Sequence, residues 1–121
     1  MLIAVVDDEE LIRRAVVRLL RAAGYAANSF ASGQEFLQSW LIERPDCVVL
    51  DLKMPGLSGI DVQRALDQAG ARLPVVIITA HDEPAAREEC MQLGAAAYLR
   101  KPLNGSTLLD ALQDAVGSPG R

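Results

Sequence analysis

Polar side chains appear abruptly at points where short apolar runs end. The residues at these points are Asp7 and Asp8 after the first run, Asp51 and Thr79 at the ends of two later runs, and Lys101 after the last. Such runs form parallel strands whose carboxyl ends share one edge of a sheet, so we expect the five side chains to converge. A cluster drawn from several separate loops indicates a functional site more specifically than one short motif.

The three carboxylates of this cluster need positive charge beside them. Two carboxylates about 4 Å apart repel each other by about 4 kcal/mol at an effective dielectric constant near 20. Lys101 supplies one compensating charge, and a divalent cation would supply two. An all-oxygen ligand set favours a hard ion, and Mg²⁺ suits a few carboxylates, retained waters and an incoming phosphate better than Ca²⁺ does. We therefore expect Mg²⁺ at this site, and Mn²⁺ could substitute for it.

A carboxylate beside Mg²⁺, with a lysine and a threonine opposite, is arranged for nucleophilic attack on phosphorus. The cation and the ammonium would neutralise charge on the transferring group, and the hydroxyl of Thr79 would donate to one of its oxygens. The product would be an acyl phosphate on Asp51, which is prone to hydrolysis. Chemistry of this kind makes a reversible switch.

Strand and helix patterns alternate along the chain and would position these residues. Short apolar runs predict strands at 2–6, 25–30, 47–50, 75–78 and 97–99, with 25–30 as a less apolar edge strand. Periodic apolar residues and capping signals predict helices at 9–23, 33–42, 58–69, 84–93 and 105–116. Five βα units predict a flavodoxin-like, doubly wound parallel sheet with strand order 2-1-3-4-5. This α/β fold forms a single domain over 1–117, and 118–121 is predicted to begin a linker or a C-terminal tail.

Composition excludes several classes of protein. The chain has 121 residues and a net charge of −4, without the basic footprint that direct nucleic-acid binding requires. Its apolar runs are too short for a membrane span, and its start resembles a strand rather than a signal peptide. Cys47 and Cys90 are too few and too far apart for a disulfide framework or a zinc site. We therefore expect a cytoplasmic protein with buried, reduced thiols.

The residues at the strand ends resemble the motifs of one known family. The sequence is similar to the receiver domain of response regulators in bacterial two-component signalling, from Leu2 to about Val116. The matching segments are Val6-Asp7-Asp8-Glu9, Leu50 to Gly59 (LDLKMPGLSG), Ile78-Thr79-Ala80, Gly94-Ala95 and Tyr98 to Pro102 (YLRKP).

The resemblance implies a role for each residue around the metal. Asp51 would be the phosphoacceptor, and Asp8 and Asp51 would bind Mg²⁺ directly with the backbone carbonyl of Lys53. Asp7 would act largely through a metal-bound water. Lys53 and His81 would border the phosphoryl group and influence how fast it is lost, although His81 could equally be a solvated loop residue.

The resemblance also implies which residues respond to phosphorylation. Thr79 and Lys101 would contact the phosphoryl oxygens, and Lys101-Pro102 would be a cis peptide bond. Tyr98 would be a switch aromatic that turns inward when Thr79 moves toward the phosphoryl group. The competing interpretation of Tyr98 is a half-buried aromatic on an edge strand.

The implied function is a phosphorylation-activated signalling switch rather than a turnover enzyme. The domain would accept its phosphoryl group from a sensor histidine kinase or a phosphotransfer protein, and it would lose that group by autodephosphorylation. Phosphorylation could drive homodimerisation and control a transcriptional output domain absent from this chain. A stand-alone receiver acting through protein contacts is an alternative. A haloacid-dehalogenase-like phosphatase is a weaker one, because that class needs a second Asp two residues after the nucleophile, where Lys53 stands.

Overall fold

A computed structural model of the protein describes residues 1–117, with five parallel strands at its centre. The strands are β1 (Leu2–Val6), β2 (Ala26–Phe30), β3 (Cys47–Asp51), β4 (Val75–Thr79) and β5 (Ala97–Arg100). Their order in the sheet is β2-β1-β3-β4-β5, as the sequence predicted. The predicted linker or tail at 118–121 lies outside the described residues.

Five helices alternate with the strands. They are α1 (Glu10–Ala22), α2 (Gly33–Trp40), α3 (Gly59–Gln68), α4 (Pro84–Gln92) and α5 (Gly105–Val116). Three of them begin at residues whose side chains accept hydrogen bonds from the first turn, namely Ser32, Ser58 and Asn104. Ser58 and Asp61 form a capping box, which fixes where α3 starts after the central strand. Among the described residues, none of these helices is both long and apolar enough to cross a bilayer.

Both faces of the sheet are buried, which explains why its strands are continuous apolar runs rather than alternating ones. Successive residues of a strand point to opposite faces, so Ile3 and Val5 join one core while Ala4 and Val6 join the other. One core packs the sheet against α1 and α5, and the other packs it against α2, α3 and α4. The central strands β3 and β4 are buried at every position, which gives their carboxyl ends a rigid base.

The strands end where the site begins. The structure extends the predicted third and fourth strands by one residue each, so that Asp51 and Thr79 are the last residues of β3 and β4. Asp51 is in register with Ile78, and Lys101 donates its backbone N–H to the Thr79 carbonyl over 2.8 Å. The backbone of three neighbouring strands therefore holds these side chains at one edge of the sheet.

Gly59 allows the start of α3 to pack directly against the end of β3. Its N–H donates to the Leu52 carbonyl over 2.8 Å. A Cβ atom at this position would lie 2.6 Å from the Asp51 carbonyl oxygen, and the backbone there cannot move aside without shifting Asp51 itself. The Gly at the end of the long motif is therefore required by close backbone approach at the site.

Candidate functional site

The carboxylates predicted at the strand ends do lie together. Asp7 directly follows β1 and is fully buried, and Asp51 is 3% exposed, whereas Asp8 is exposed to solvent. Each of the three offers an oxygen, and these oxygens all lie within 4.8 Å of one another. Asp7 is fixed by its Oδ1, which accepts a hydrogen bond from the Glu9 N–H over 2.9 Å.

Lys101 is the positive centre of this cluster. Its Nζ lies 2.8 Å from Asp7 Oδ2, 3.2 Å from Glu9 Oε1 and 3.6 Å from Asp51 Oδ2. The lysine side chain is only 8% exposed, so water screens these charges weakly. Among the carboxylates that it contacts, the ammonium is farthest from Asp51, which leaves that oxygen the least neutralised of the three.

Burial and neighbouring charges shift the pKa values of Asp51 and Lys101. Burial, reinforced by the negative charge of Asp7, raises the pKa of Asp51 to about 7, although the Lys101 ammonium opposes this. For Lys101 burial alone would lower the pKa, but contact with Asp7 and the charge of Asp51 outweigh it and raise the pKa above its ordinary value. The lysine is therefore held charged, while the surroundings of Asp51 oppose the ionisation of its carboxyl group.

Thr79 is buried beside the cluster, but its hydroxyl is engaged within its own turn. Thr79 Oγ1 donates to the His81 carbonyl over 2.9 Å and accepts from the His81 N–H at 3.1 Å. To donate to a phosphoryl oxygen, as predicted, the Thr79 hydroxyl must give up its hydrogen bond to the His81 carbonyl. His81 lies at the cavity wall, where its backbone holds Thr79 in place.

Tyr98 is half-buried on the edge strand β5, and its hydroxyl end points into the molecule. The hydroxyl is buried without a hydrogen-bond partner among residues 1–117, and burial raises the pKa of the phenol. The Arg87 guanidinium lies 5.6 Å from the centroid of the ring. The expected Lys101-Pro102 cis peptide bond is present.

Lys53 extends from the β3–α3 loop to the start of α4, where its ammonium pairs with the Glu83 carboxylate. This lysine, the exposed Asp8, His81 and Ala80 line an open cavity of about 250 Å³ above Asp51. The cavity gives a small anionic group access to the buried carboxylate.

Three residues at the site escaped prediction, Glu9, Glu83 and Arg13. Glu9 is part of the motif after Asp8, and its position beside two acids gave no sign that its carboxylate would pair with Lys101. Glu83 follows Thr79 by four residues in a loop without periodicity, so only the structure reveals its contact with Lys53. The Arg13 guanidinium donates to the Asp7 carbonyl over 2.8 Å.

The pKa of Asp51 predicts a pH-dependent stability in the metal-free protein. Unfolded Asp loses its proton near pH 4, while folded Asp51 keeps it to about pH 7. Between these values the folded state binds more protons, so the free energy of unfolding falls as pH rises. In EDTA, wild type should match Asp51→Asn at about pH 4 and be less stable by up to about 4 kcal/mol at about pH 8.

Urea denaturation of both proteins at the two pH values measures this difference. The exposed Asp110, replaced by Asn, is the matched control and should show no such pH dependence relative to wild type. A difference that stays constant with pH would show that Asp51 is well solvated in the folded state, and a wild type that gains stability over Asp51→Asn as pH rises would show that its charge is fully paired.

Comparisons with known proteins agree with this architecture. The family model described as response regulator receiver domain matches residues 3–113. Nodulation protein W of Bradyrhizobium diazoefficiens is 36% identical over 115 residues, which cover 95% of this chain and 51% of that protein. Transcriptional regulatory protein FixJ of Azorhizobium caulinodans is 32% identical, with 93% and 54% covered. A response regulator receiver protein from Burkholderia phymatum is 46% identical, with a TM-score of 0.85 and 97% and 95% of the chains covered.

The chain spans about half the length of the curated relatives named above. The match to the family model nevertheless covers all five strands and most of the helices, and it includes every residue of the acidic cluster. Receiver domains are signalling switches rather than turnover enzymes, and they bind Mg²⁺ in an acidic pocket. This chain belongs to the response regulator receiver domain family of two-component signalling.

Proposed function

We propose that Asp51 accepts a phosphoryl group from a sensor histidine kinase or a phosphotransfer protein, and that the acyl phosphate switches the domain between two states. The observation that carries this proposal is the placement of Asp51. Its carboxylate ends a central strand, lies 3.6 Å from the Lys101 ammonium and opens into a cavity of about 250 Å³.

The transfer step follows from these positions. An oxygen of the Asp51 carboxylate attacks phosphorus, a new O–P bond forms, and the P–N bond to the donor histidine breaks. The electron pair of that bond leaves with the imidazole, which keeps or takes up a proton from solvent. Lys101 then moves its ammonium toward the phosphoryl oxygens, because the acyl phosphate places negative charge within reach of it. The group is lost by hydrolysis: a water oxygen attacks phosphorus, the O–P bond to Asp51 breaks, the carboxylate is regenerated, and inorganic phosphate leaves while the water proton passes to solvent.

The donor set of the site fits Mg²⁺. Asp7, Asp8 and Asp51 offer carboxylate oxygens that lie within 4.8 Å of one another, and this all-oxygen set suits a hard cation, while Lys101 contacts Asp7 Oδ2 at 2.8 Å. Asp8 and Asp51 would hold the ion directly with the Lys53 carbonyl, and Asp7 would act through a metal-bound water. The bound ion supplies positive charge that offsets the phosphoryl oxygens. Mn²⁺ satisfies the same ligands.

Thr79 and Tyr98 would convert phosphorylation into a change of surface. We infer that the Thr79 hydroxyl leaves the His81 carbonyl and donates instead to a phosphoryl oxygen. The phosphoryl oxygen is a stronger acceptor than the carbonyl because it is charged. This shift pulls the β4–α4 loop toward Asp51. Tyr98 would respond because its buried hydroxyl lies beside the Glu83 backbone at the end of that loop, so a movement of the loop changes its surroundings.

The partners of the domain follow from the family and from charge. A groove of about 450 Å³ on the outer side of α1 is lined by Arg14, Arg18 and Arg21 together with Ser29. Acidic side chains of a phosphodonor protein would complement it. Relatives named as transcriptional regulatory proteins are about twice as long as this chain, which supports control of a transcriptional output domain. A homodimer formed on phosphorylation would be one means of that control. We place this signalling in the cytoplasm.

Backbone NMR on the ¹⁵N-labelled domain tests the switch. Acetyl phosphate and Mg²⁺ should shift amide resonances around Thr79, along the β4–α4 loop and near Tyr98, and the shifts should decay as the phosphoryl group is lost. The same addition to Asp51→Asn should leave those resonances in place. Shifts of equal size in Asp51→Asn, or none in a phosphorylated wild type, would rule out a switch driven from Asp51.

A further inference from the structure

Two lysines flank the cavity above Asp51, and each is paired with a glutamate. Lys101 contacts Glu9, and Lys53 contacts Glu83. The Lys101 pair belongs to the buried cluster. The Lys53 pair differs because both of its side chains are about half exposed, and it ties the β3–α3 loop to the residue that precedes α4.

Glu83 occupies the N-cap position of α4 without capping it. Its backbone is extended, and its side chain makes no hydrogen bond to the first turn of the helix. Ser32, Ser58 and Asn104 all cap their helices with a side-chain oxygen. The Glu83 carboxylate is instead drawn to the Lys53 ammonium, and this contact lowers the pKa of Glu83.

The contact is open to exchange. The side chains of Lys53 and Glu83 are 52% and 50% exposed, so the pair is solvated and contributes little free energy. A phosphoryl group on Asp51, two residues before Lys53, would carry more negative charge than one carboxylate does and would lie in the cavity that Lys53 lines. The lysine can therefore change partners at low cost.

We propose that Glu83 is a positioning residue for phosphoryl transfer: it holds Lys53 at the rim of the cavity and competes with the phosphoryl group for the lysine ammonium. When Asp51 is phosphorylated, Lys53 leaves Glu83 for a phosphoryl oxygen. The start of α4 then loses its tie to the β3–α3 loop. The proposal rests on the proposed function, since it needs Asp51 to be the phosphoacceptor.

The competition would reach α4 because this helix is weakly anchored. Among its residues only Cys90 is buried, so few apolar contacts oppose a movement of its first turn. At the far side of the helix, Glu89 pairs with Arg64 of α3. Loss of the Lys53 contact would therefore release the first turn while the later turns stay tied.

A double-mutant cycle tests this role. The wild type, Glu83→Gln, Lys53→Gln and the double variant are phosphorylated with acetyl phosphate and Mg²⁺ at low ionic strength, and the rate constant is measured by intact mass. Glu83→Gln should raise the rate constant about threefold when Lys53 is present and leave it nearly unchanged in the Lys53→Gln background. Lys53→Arg, which keeps the positive charge, should preserve most of the response to Glu83→Gln.

Glu89→Gln is the matched control, because it removes the same charge from the same helix but pairs with Arg64 rather than with a cavity lysine. It should leave the rate constant near that of wild type. Acceleration of equal size in Glu89→Gln, or in Glu83→Gln with Lys53 absent, would reduce the effect to net charge and overturn the proposal. A wild type that labels well and a Glu83→Gln variant that behaves like it would overturn this proposal alone. A wild type that takes up no phosphoryl group would contradict the proposed function itself.

A second readout separates positioning from a general loss of structure. Phosphorylation should shift the amide resonances of Ala85 and Ala86 in the wild type. In Glu83→Gln those resonances should already be displaced toward their phosphorylated positions before any phosphodonor is added. Resonances that match the unphosphorylated wild type would show that the pair does not hold the start of α4.

Discussion

Asp51→Asn will take up no phosphoryl group from acetyl phosphate and Mg²⁺ under conditions that phosphorylate the wild-type domain. The amide that replaces the carboxylate lacks the negative oxygen that attacks phosphorus, so the rate should fall by at least about a thousandfold. The neighbouring Asp7 and Asp8 cannot replace it. Asp7 is fully buried and tied to Lys101 and to the Glu9 N–H, and Asp8 is exposed at the cavity wall.

Intact mass spectrometry at successive times measures the uptake. The variant should also remain folded, since it loses a carboxylate whose charge the site opposes at neutral pH. Asp110→Asn, a change of the same kind on the exposed side of α5, should take up the group as fast as wild type. Uptake of the phosphoryl group by Asp51→Asn at a wild-type rate would show that Asp51 is not the phosphoacceptor.

Lys101→Ala has the second large effect, because this residue serves both stability and switching. The variant leaves the buried Asp7 without its counterion, and breaking a buried ion pair costs about 3 kcal/mol. In metal-free buffer the free energy of unfolding should fall by about that amount, and Mg²⁺ should restore part of it. Lys53→Ala removes an exposed lysine from the same cavity and should cost less than about 1 kcal/mol.

The switching effect of Lys101→Ala should be separable from its stability effect. Some phosphorylation of Asp51 should persist, because the carboxylate and the metal ligands remain. The amide shifts of the β4–α4 loop should be lost, because no ammonium then joins the phosphoryl group to the strand end that carries Thr79. Stability is read from urea denaturation in EDTA and in Mg²⁺, and coupling from NMR spectra of the phosphorylated variant. A phosphorylated Lys101→Ala protein with wild-type shifts would contradict the role given to this lysine.

The fold could be predicted closely from the sequence because the core imposes one simple pattern. Strands buried on both faces must be continuous apolar runs, and β1 matched its predicted bounds at Leu2–Val6. Helix starts were predicted where side chains cap them, as at Ser58 and Asn104. The predicted ends of the third and fourth strands were wrong by one residue. Asp51 and Thr79 are polar and were placed directly at the ends of the predicted apolar runs, whereas the ladder of the sheet includes them.

The convergence of the acidic residues was predictable for the same reason, since parallel strands bring their carboxyl ends to one edge. The partner that each charged side chain contacts could not be predicted. The contacts of Glu9 with Lys101 and of Glu83 with Lys53 join residues far apart in the sequence. Such pairs depend on where neighbouring loops lie relative to the edge of the sheet and on the length of flexible side chains. Neither follows from the periodicity of the sequence. The turn that holds the Thr79 hydroxyl is likewise a matter of local geometry.

The position of the phosphoryl group is the most direct test of the central claim. The wild-type domain is phosphorylated with acetyl phosphate and Mg²⁺, reduced with borohydride, digested and sequenced by mass spectrometry. Borohydride converts an aspartyl phosphate to homoserine, so the modified residue is read directly. The structure predicts homoserine at position 51 alone, because among residues 1–117 only this carboxylate is both fixed at a central strand end and open to the cavity. Homoserine at Asp7 or Asp8 with Asp51 intact, or an acid-labile phosphoryl group on His81, would contradict it.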